Sequence, residues 1–454
     1  MNYPAWTPPV LGGGIIIAII AILHVFVSHF AVGGGLFLPV TERKAYRENN
    51  PELLEYVKSH SKFFVLVVLV FGAVSGVGIW WSIGLVNPEA TATLIHVFVW
   101  GWAIEWVFFI VEIAAAFIYY YGWDRLDPKT HLTVGWIYFG SAWASLFVIN
   151  GILTFMLTPG KWVETHSFAS AFFNPGMLPS CVVRTAVSVA LAGVYALVTA
   201  AAIRDIALRT QVVQYAARWL LSGTLLIPFA GFWYISTLPT RAREMSMGGA
   251  PAVTIFAGLS IFFSVLIVVF TYFGPYHHPS YFNLTFAFLL AVLALSATGV
   301  TEWVREAVRK PYIIYGYMYS NTLRPEDVNR VRQQGVLAAA RFVRRHAVDP
   351  QALEESGEDV FGVECASCHT VNGYNSMRLA VKGWSGAMID YQLLHLNELK
   401  GFMPPFAGTE AERKALGAWL AGLNPPPAGT EIEPRMPGEK AEKPAAPQSG
   451  ALHP

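Results

Sequence analysis

Long apolar runs dominate the first two thirds of this chain. Stretches close to the ~20 residues that a helix needs to cross a bilayer occur at about 11–40, 63–86, 94–121, 131–157, 179–203, 217–238, 251–274 and 281–304. They predict an all-α, polytopic bundle of about eight transmembrane helices over residues 1–315. From about residue 320 the texture becomes charged and amphipathic, as in Arg324-Pro325-Glu326-Asp327 and Arg341-Phe342-Val343-Arg344-Arg345. This pattern predicts a linker helix over 316–351. Residues 352–424 have the size and mixed composition of one small soluble domain, and 425–454 form a Pro/Ala-rich tail that cannot bury enough apolar surface to order itself.

Composition supports this division, because 54% hydrophobic and only 13% charged residues are not the make-up of a soluble chain. A net charge of +1 gives no reason to expect a nucleic-acid partner. The bilayer is the expected environment. No short hydrophobic stretch with a small-residue cleavage site precedes the first span, which is therefore expected to direct insertion itself. The charge bias of the loops sets orientation. Arg43, Lys44, Arg47, Lys58 and Lys62 follow the first span, Arg125 and Lys129 the third, and Arg204, Arg209 and Arg218 the fifth; the opposite loops hold only Lys161, Arg241 and Arg243. The N-terminus, and after an even number of spans the C-terminal domain, are expected on the extracytoplasmic side of a prokaryotic cytoplasmic membrane.

Only three cysteines are present, so there is no disulfide framework to decode. Cys365-Ala366-Ser367-Cys368-His369 is a C-x-x-C-H attachment motif, in which two thiols form thioethers to a porphyrin and the His supplies an axial ligand. No second Cys pair or His cluster completes a zinc set. Met403, in the Pro-rich stretch Gly401-Phe402-Met403-Pro404-Pro405-Phe406, is the candidate second ligand. The segment resembles a class I cytochrome c, from a helix near Glu354–Gly362 to one near Glu410–Leu423, and this resemblance implies one covalent heme c. Heme attachment of this kind takes place outside the cytoplasm, in agreement with the loop charges.

Ionisable residues inside membrane helices are costly and are functional candidates by default. His24 and His29 lie in the first span, His96 at the start of the third, Glu105 and Glu112 within it, Arg184 near the outer end of the fifth, and Glu302, Arg305, Glu306 and Arg309 at the end of the eighth. Seven residues apart, Glu105 and Glu112 share one helix face, an arrangement that suits a proton relay. His29, His96, His277 and His278 read as packing or interfacial histidines, and Cys181 as inert packing.

Several of these residues fall in segments that resemble subunit I of the cytochrome bd oxidases. Glu112 is followed by Gly122-Trp123-Asp124-Arg125-Leu126; Gly140-Ser141 and Asn150-Gly151 follow in the fourth span, Gly72-Ala73-Val74-Ser75-Gly76 lies in the second, and His24 precedes Gly33-Gly34-Gly35. Glu306-Ala307-Val308-Arg309-Lys310-Pro311-Tyr312 resembles that family's Glu-x-x-Arg-x-Pro-aromatic segment. The resemblance covers about residues 10–315. It implies that His24 and Glu306 each hold the iron of a non-covalent heme, of b or d type, and that Arg309 neutralises a propionate or the Glu306 carboxylate. It also implies a second, related membrane subunit. The departures are specific. Arg184 stands where the family has a heme-ligating His, residues 251–304 contain no Met, the quinol-binding loop shrinks to about 239–250, and the family's last helix gives way to the cytochrome c domain.

The resemblance and its departures together imply a terminal oxidase subunit that takes electrons from a cytochrome c or other periplasmic donor through heme c and reduces dioxygen to water at membrane hemes. Arg184 would then pair with a propionate or favour a reduced heme. The alternative is a non-oxidase subunit that relays electrons between periplasmic cytochromes or a partner enzyme and membrane hemes.

Overall fold

The computed structural model describes residues 3–399 and 401–425, so nearly all of the expected tail lies outside the described residues. Among the described residues, eight helices are long and apolar enough to span a membrane: α1 Gly12–Arg47, α2 Pro51–Val86, α3 Val99–Gly122, α4 Pro128–Phe155, α5 Met177–Ala200, α6 Ile206–Ser236, α7 Pro251–Tyr276 and α8 Leu284–Arg309. Helices α3 and α4, α5 and α6, and α7 and α8 pack as pairs, and α1 sits among α2, α4 and α5. α2 begins well before the expected residue 63 because Asn50 caps it, accepting from Leu53 N at 2.9 Å, with Pro51 at the first helical position. His96 does not open α3, since it belongs to a separate short helix, Pro88–Val97.

Within lipid there is no hydrophobic drive between helices, so close backbone approach carries the association. The Gly33-Gly34-Gly35 run makes α1 the hub. A Cβ on Gly33 would stand 1.8 Å from Ser188 O of α5, one on Gly34 2.8 Å from Phe64 of α2, and one on Gly35 2.3 Å from Tyr138 of α4. Three consecutive glycines therefore face three different helices.

Beyond α8 the expected linker helix is replaced by a small hairpin, Tyr312–Ile314 with Met318–Tyr319, and two short helices, Val328–Gln334 and Val336–Ala339. These pieces join the C-terminal domain. Leu323, Val328, Val331, Val336 and Leu337 share one core with Val360, Phe361, Leu416 and Leu420. Arg344 and Arg345, which read as part of a helix, instead reach Asp359 at 2.7 and 2.9 Å. The domain's helices include α9 Leu353–Glu364, α10 Gly386–Leu394 and α11 Glu410–Gly422. α9 and α11 cross where Gly357 meets Ala415, at a point where a Cβ would come within 2.1 Å of the Ala415 carbonyl oxygen. Thr409 and Glu412 form a capping box on α11, and the buried Glu412 also accepts from Val336 N and Leu337 N at 3.0 and 2.8 Å.

Candidate functional site

The attachment motif starts where α9 ends. Cys365 closes the helix, and its carbonyl accepts from Cys368 N at 3.1 Å and His369 N at 3.0 Å, so both thiols and the imidazole emerge from one tight turn. His369 Nδ1 donates to Asn375 O at 3.2 Å, and Asn375 Nδ2 donates to Cys368 O at 2.8 Å. With Nδ1 occupied by a carbonyl, Nε2 keeps its lone pair free for a metal. Both thiols are unbonded to each other. Burial pushes the Cys365 thiol well up and lowers His369, which keeps the imidazole neutral as a ligand must be. Met403 is half-buried in its Pro-rich loop. This donor set fits a covalent heme c. Among the described residues no cluster of three or more His, Cys, Asp and Glu side chains is arranged to hold a metal ion.

The motif lies directly on the membrane bundle. Tyr374 N donates to Val10 O at 2.7 Å, just ahead of α1, and a Cβ on Gly373 would fall 1.9 Å from that same oxygen. Arg241, between α6 and α7, hydrogen-bonds Gly401 O next to Met403. The ammonium of Lys310, one residue past α8, lies 3.9 Å from Cys368 Sγ and 3.2 Å from Glu306 Oε1. Lys310 thus touches both the attachment motif and the end of α8.

Glu306 is ion-paired with Arg309 as well. One turn earlier, Arg305 bonds Glu302 at 2.8 Å. Arg184 of α5 shares this neighbourhood, with Glu302, Arg305 and Tyr234 as its electrostatic neighbours, and its Nε is enclosed without a partner. The group holds more guanidinium and ammonium than carboxylate. An excess of positive charge, buried at Arg309 and half-buried at the others, suits anionic propionates.

His24 of α1 has Nδ1 3.1 Å from Ser75 Oγ, which itself bonds Phe71 O at 2.7 Å. The serine spends its proton on the carbonyl and accepts from the imidazole, which again leaves Nε2 free. Gly76 opens the space, since a Cβ there would press to 3.2 Å from the ring. His24 fits an iron ligand on these grounds, whereas both carboxylate oxygens of Glu306 are engaged, one by Arg309 and one by Lys310, so that Glu306 has to release one of them to meet an iron. His29 donates Nδ1 to Val25 O at 2.7 Å and His96 to Ala92 O at 2.7 Å, both within their own helices.

In α3, Ser145 Oγ of α4 donates to Glu105 Oε1 at 3.1 Å, while Glu112 Oε1 is enclosed with no partner. The charged group that sequence reading missed lies near the far end of α1. Glu42 is wholly buried, with Oε1 2.8 Å from His131 Nδ1 and Oε2 accepting from the Tyr119 hydroxyl at 2.7 Å. Glu42 had been hidden by its basic neighbours Arg43 and Lys44, which read as a solvated loop. The available signal was the third member of the seven-residue series 105, 112, 119.

Residues 15–239 match the family described as cytochrome bd terminal oxidase subunit I, and residues 352–420 match cytochrome c oxidase, cbb3-type, subunit III. No curated protein matches the chain by sequence. Among solved structures, the bd oxidase from Geobacillus thermodenitrificans is similar in fold at 18% identity, with a TM-score of 0.59 over 69% of this chain and 90% of that one.

Proposed function

We propose that this chain, whose membrane domain belongs to the cytochrome bd terminal oxidase subunit I family, is the heme-carrying subunit of an oxidase fed through its own cytochrome c domain. The observation that carries this reading is Lys310, in reach of both Cys368 and Glu306. It joins the point of covalent heme attachment to the family's proposed ligand without an intervening protein layer.

In this reading Cys365 and Cys368 hold heme c, with His369 and Met403 as its axial ligands. His24 and Glu306 hold one iron each, and Arg309, Lys310 and Arg184 meet propionates. Bound there, the hemes supply one-electron chemistry and the place where dioxygen is reduced. The chain's own work is to move protons and fix charge. Glu105 and Glu112, with Ser145 beside Glu105, carry protons along α3, since reduction of dioxygen to water consumes as many protons as electrons. The Glu306–Arg309–Lys310 network holds compensating charge at the end where electrons arrive. The loss of the helix 5 His to Arg184 and the absence of Met from 251–304 support intake through heme c and not from quinol, as does the short 239–250 segment, which folds as two brief helical turns. A second membrane subunit completes the complex, and the C-terminal domain faces the extracytoplasmic side.

Oxygen uptake by the purified complex tests the reading, with reduced cytochrome c and separately with a short-chain quinol. Uptake with cytochrome c that is lost on His369→Ala is expected. Quinol oxidation that survives His369→Ala overturns intake through heme c. No oxygen uptake by a heme-replete complex from any donor removes the oxidase reading and leaves a relay of electrons to a partner enzyme.

A further inference from the structure

Every polar atom in the buried group formed by Glu42, His131 and Tyr119 is accounted for, and the count leaves one proton over. His131 Nδ1 faces the Glu42 carboxyl at 2.8 Å, and Nε2 faces the main-chain oxygen of Tyr119 at 2.8 Å. Both partners are acceptors. A neutral imidazole has one N–H and satisfies only one of them. The pair therefore carries one further proton, either as imidazolium against carboxylate or as neutral imidazole against carboxylic acid. Glu42 and His131 are 0% and 2% exposed, so bulk water does not supply the missing partner. The imidazole lies against the rings of Trp123 and Tyr119 at 4.1 and 4.3 Å, faces that favour a cation.

This group stands at one mouth of the bundle. Glu42 is thirty residues along α1 from Gly12, or about 45 Å at the helical rise, and so lies at the end opposite the C-terminal domain, which rests on Val10. Toward the end of α1, one turn on, half-buried Tyr46 lies beside the same carboxyl. Toward the bundle centre, Tyr119 is seven residues from Glu112, which is seven from Glu105, so the three occupy one stripe of α3. The two turns between Tyr119 and Glu112 span roughly 10 Å. A cavity lined by Tyr119, Tyr138, Ala116 and Gly135 lies beside them, with a volume of about 10 Å³.

We infer that Glu42 and His131 form a proton-loading pair that feeds the Glu112–Glu105 stripe through the Tyr119 hydroxyl. A proton reaches the pair past Tyr46 and is held between carboxyl and imidazole. Tyr119 gives its hydroxyl proton toward Glu112 and takes the held proton in its place, so the pair returns to its unloaded state and no charge is left behind on the phenol. The inference rests on the oxidase reading above, which makes proton uptake part of turnover.

The test is rapid mixing of the fully reduced, heme-replete complex with oxygen, following heme oxidation by absorbance and proton uptake by a pH-sensitive dye. Glu42→Gln keeps the shape and removes the carboxyl proton site, and Tyr119→Phe removes only the hydroxyl. Both are expected to slow proton uptake at least tenfold, with heme content and the initial oxygen-binding phase as in the unaltered protein. Uptake at the unaltered rate in Tyr119→Phe overturns the inference. So does a slowdown accompanied by heme loss in both variants, which marks the group as structural. An unaltered complex that does not react with oxygen at all overturns the oxidase reading itself.

Discussion

The ammonium of Lys310 stands 3.9 Å from the sulfur of Cys368, so the first residue after the last membrane helix touches the heme-attachment motif. A cation fixed there also stabilises the Glu306 carboxylate, 3.2 Å away. Lys310→Met keeps the stem and removes the charge. Its expected result is a fall in the midpoint potential of the membrane heme proposed to bind at Glu306, because a nearby positive charge favours the reduced iron. At an effective dielectric of about 20 and a separation of roughly 7 Å the loss is on the order of 100 mV. Potentiometric titration of the purified complex reads it, and covalent heme staining of the C-terminal domain should be unchanged.

Glu112→Gln is expected to lower steady-state oxygen uptake at least tenfold while leaving heme spectra intact. Its Oε1 is enclosed without a protein partner, and a buried acceptor of that kind calls for a proton or a water. Unchanged uptake would reduce Glu112 to a packing acid.

A pH dependence sits in the C-terminal domain. Glu364, next to Cys365, has its carboxyl pushed up to about 7, chiefly by burial, although Asn321 Nδ2 donates to it at 2.8 Å. A carboxyl that holds its proton more tightly when folded adds most to stability below the unfolded value of 4.5. That contribution is lost as pH rises from there through about 7, and amounts to about 3 kcal/mol at most. Glu364→Gln keeps an acceptor for Asn321 and cannot ionise. Thermal unfolding followed through the heme c absorbance should therefore weaken between pH 5 and pH 8 in the unaltered protein and stay flat across that window in the variant. Equal slopes in both would discard Glu364 as the titrating group.

What could be read from sequence followed the range of the interaction that decides each feature. Apolar length fixes a span locally, and all eight are present; Cys365 to His369 is a contiguous motif whose chemistry needs no fold. The carboxyl stripe of α3 followed from helical spacing alone. Features set by long-range partners stayed hidden. Arg341 to Arg345 look helical by composition but do not form a helix, and Arg344 and Arg345 are held by Asp359 across a domain core. His131 carries no signal of its own until Glu42, 89 residues earlier, is placed against it. Arg184 is legible as an intramembrane cation near the outer end of the fifth span, but its neighbours Glu302 and Arg305 come from α8 and only the fold sets them beside it.

A tight backbone approach between the two domains is the last place to probe. Gly373 follows the attachment motif by four residues and leaves no room for a methyl group, since its Cβ would lie 1.9 Å from Val10 O and 2.6 Å from Val10 Cα. Both obstacles are main chain, so Gly373→Ala has to push the motif off the bundle or break the bond from Tyr374 N to Val10 O. The loop's own contacts, Thr370 Oγ1 to Tyr374 O and Asn375 Nδ2 to Cys368 O at 2.8 Å each, remain within the domain and keep heme c attached. The expected phenotype is a heme c that accepts electrons from an external reduced cytochrome at the unaltered rate but passes them to the membrane hemes severalfold more slowly. Stopped-flow spectra that resolve the two hemes measure both steps. Gly362→Ala is the control, because it lies in the same domain with open space around its Cβ and should change neither rate. If Gly373→Ala also leaves the second step unchanged, close docking on Val10 does not govern electron transfer, and the coupling falls to the contacts made by Lys310 and Arg241.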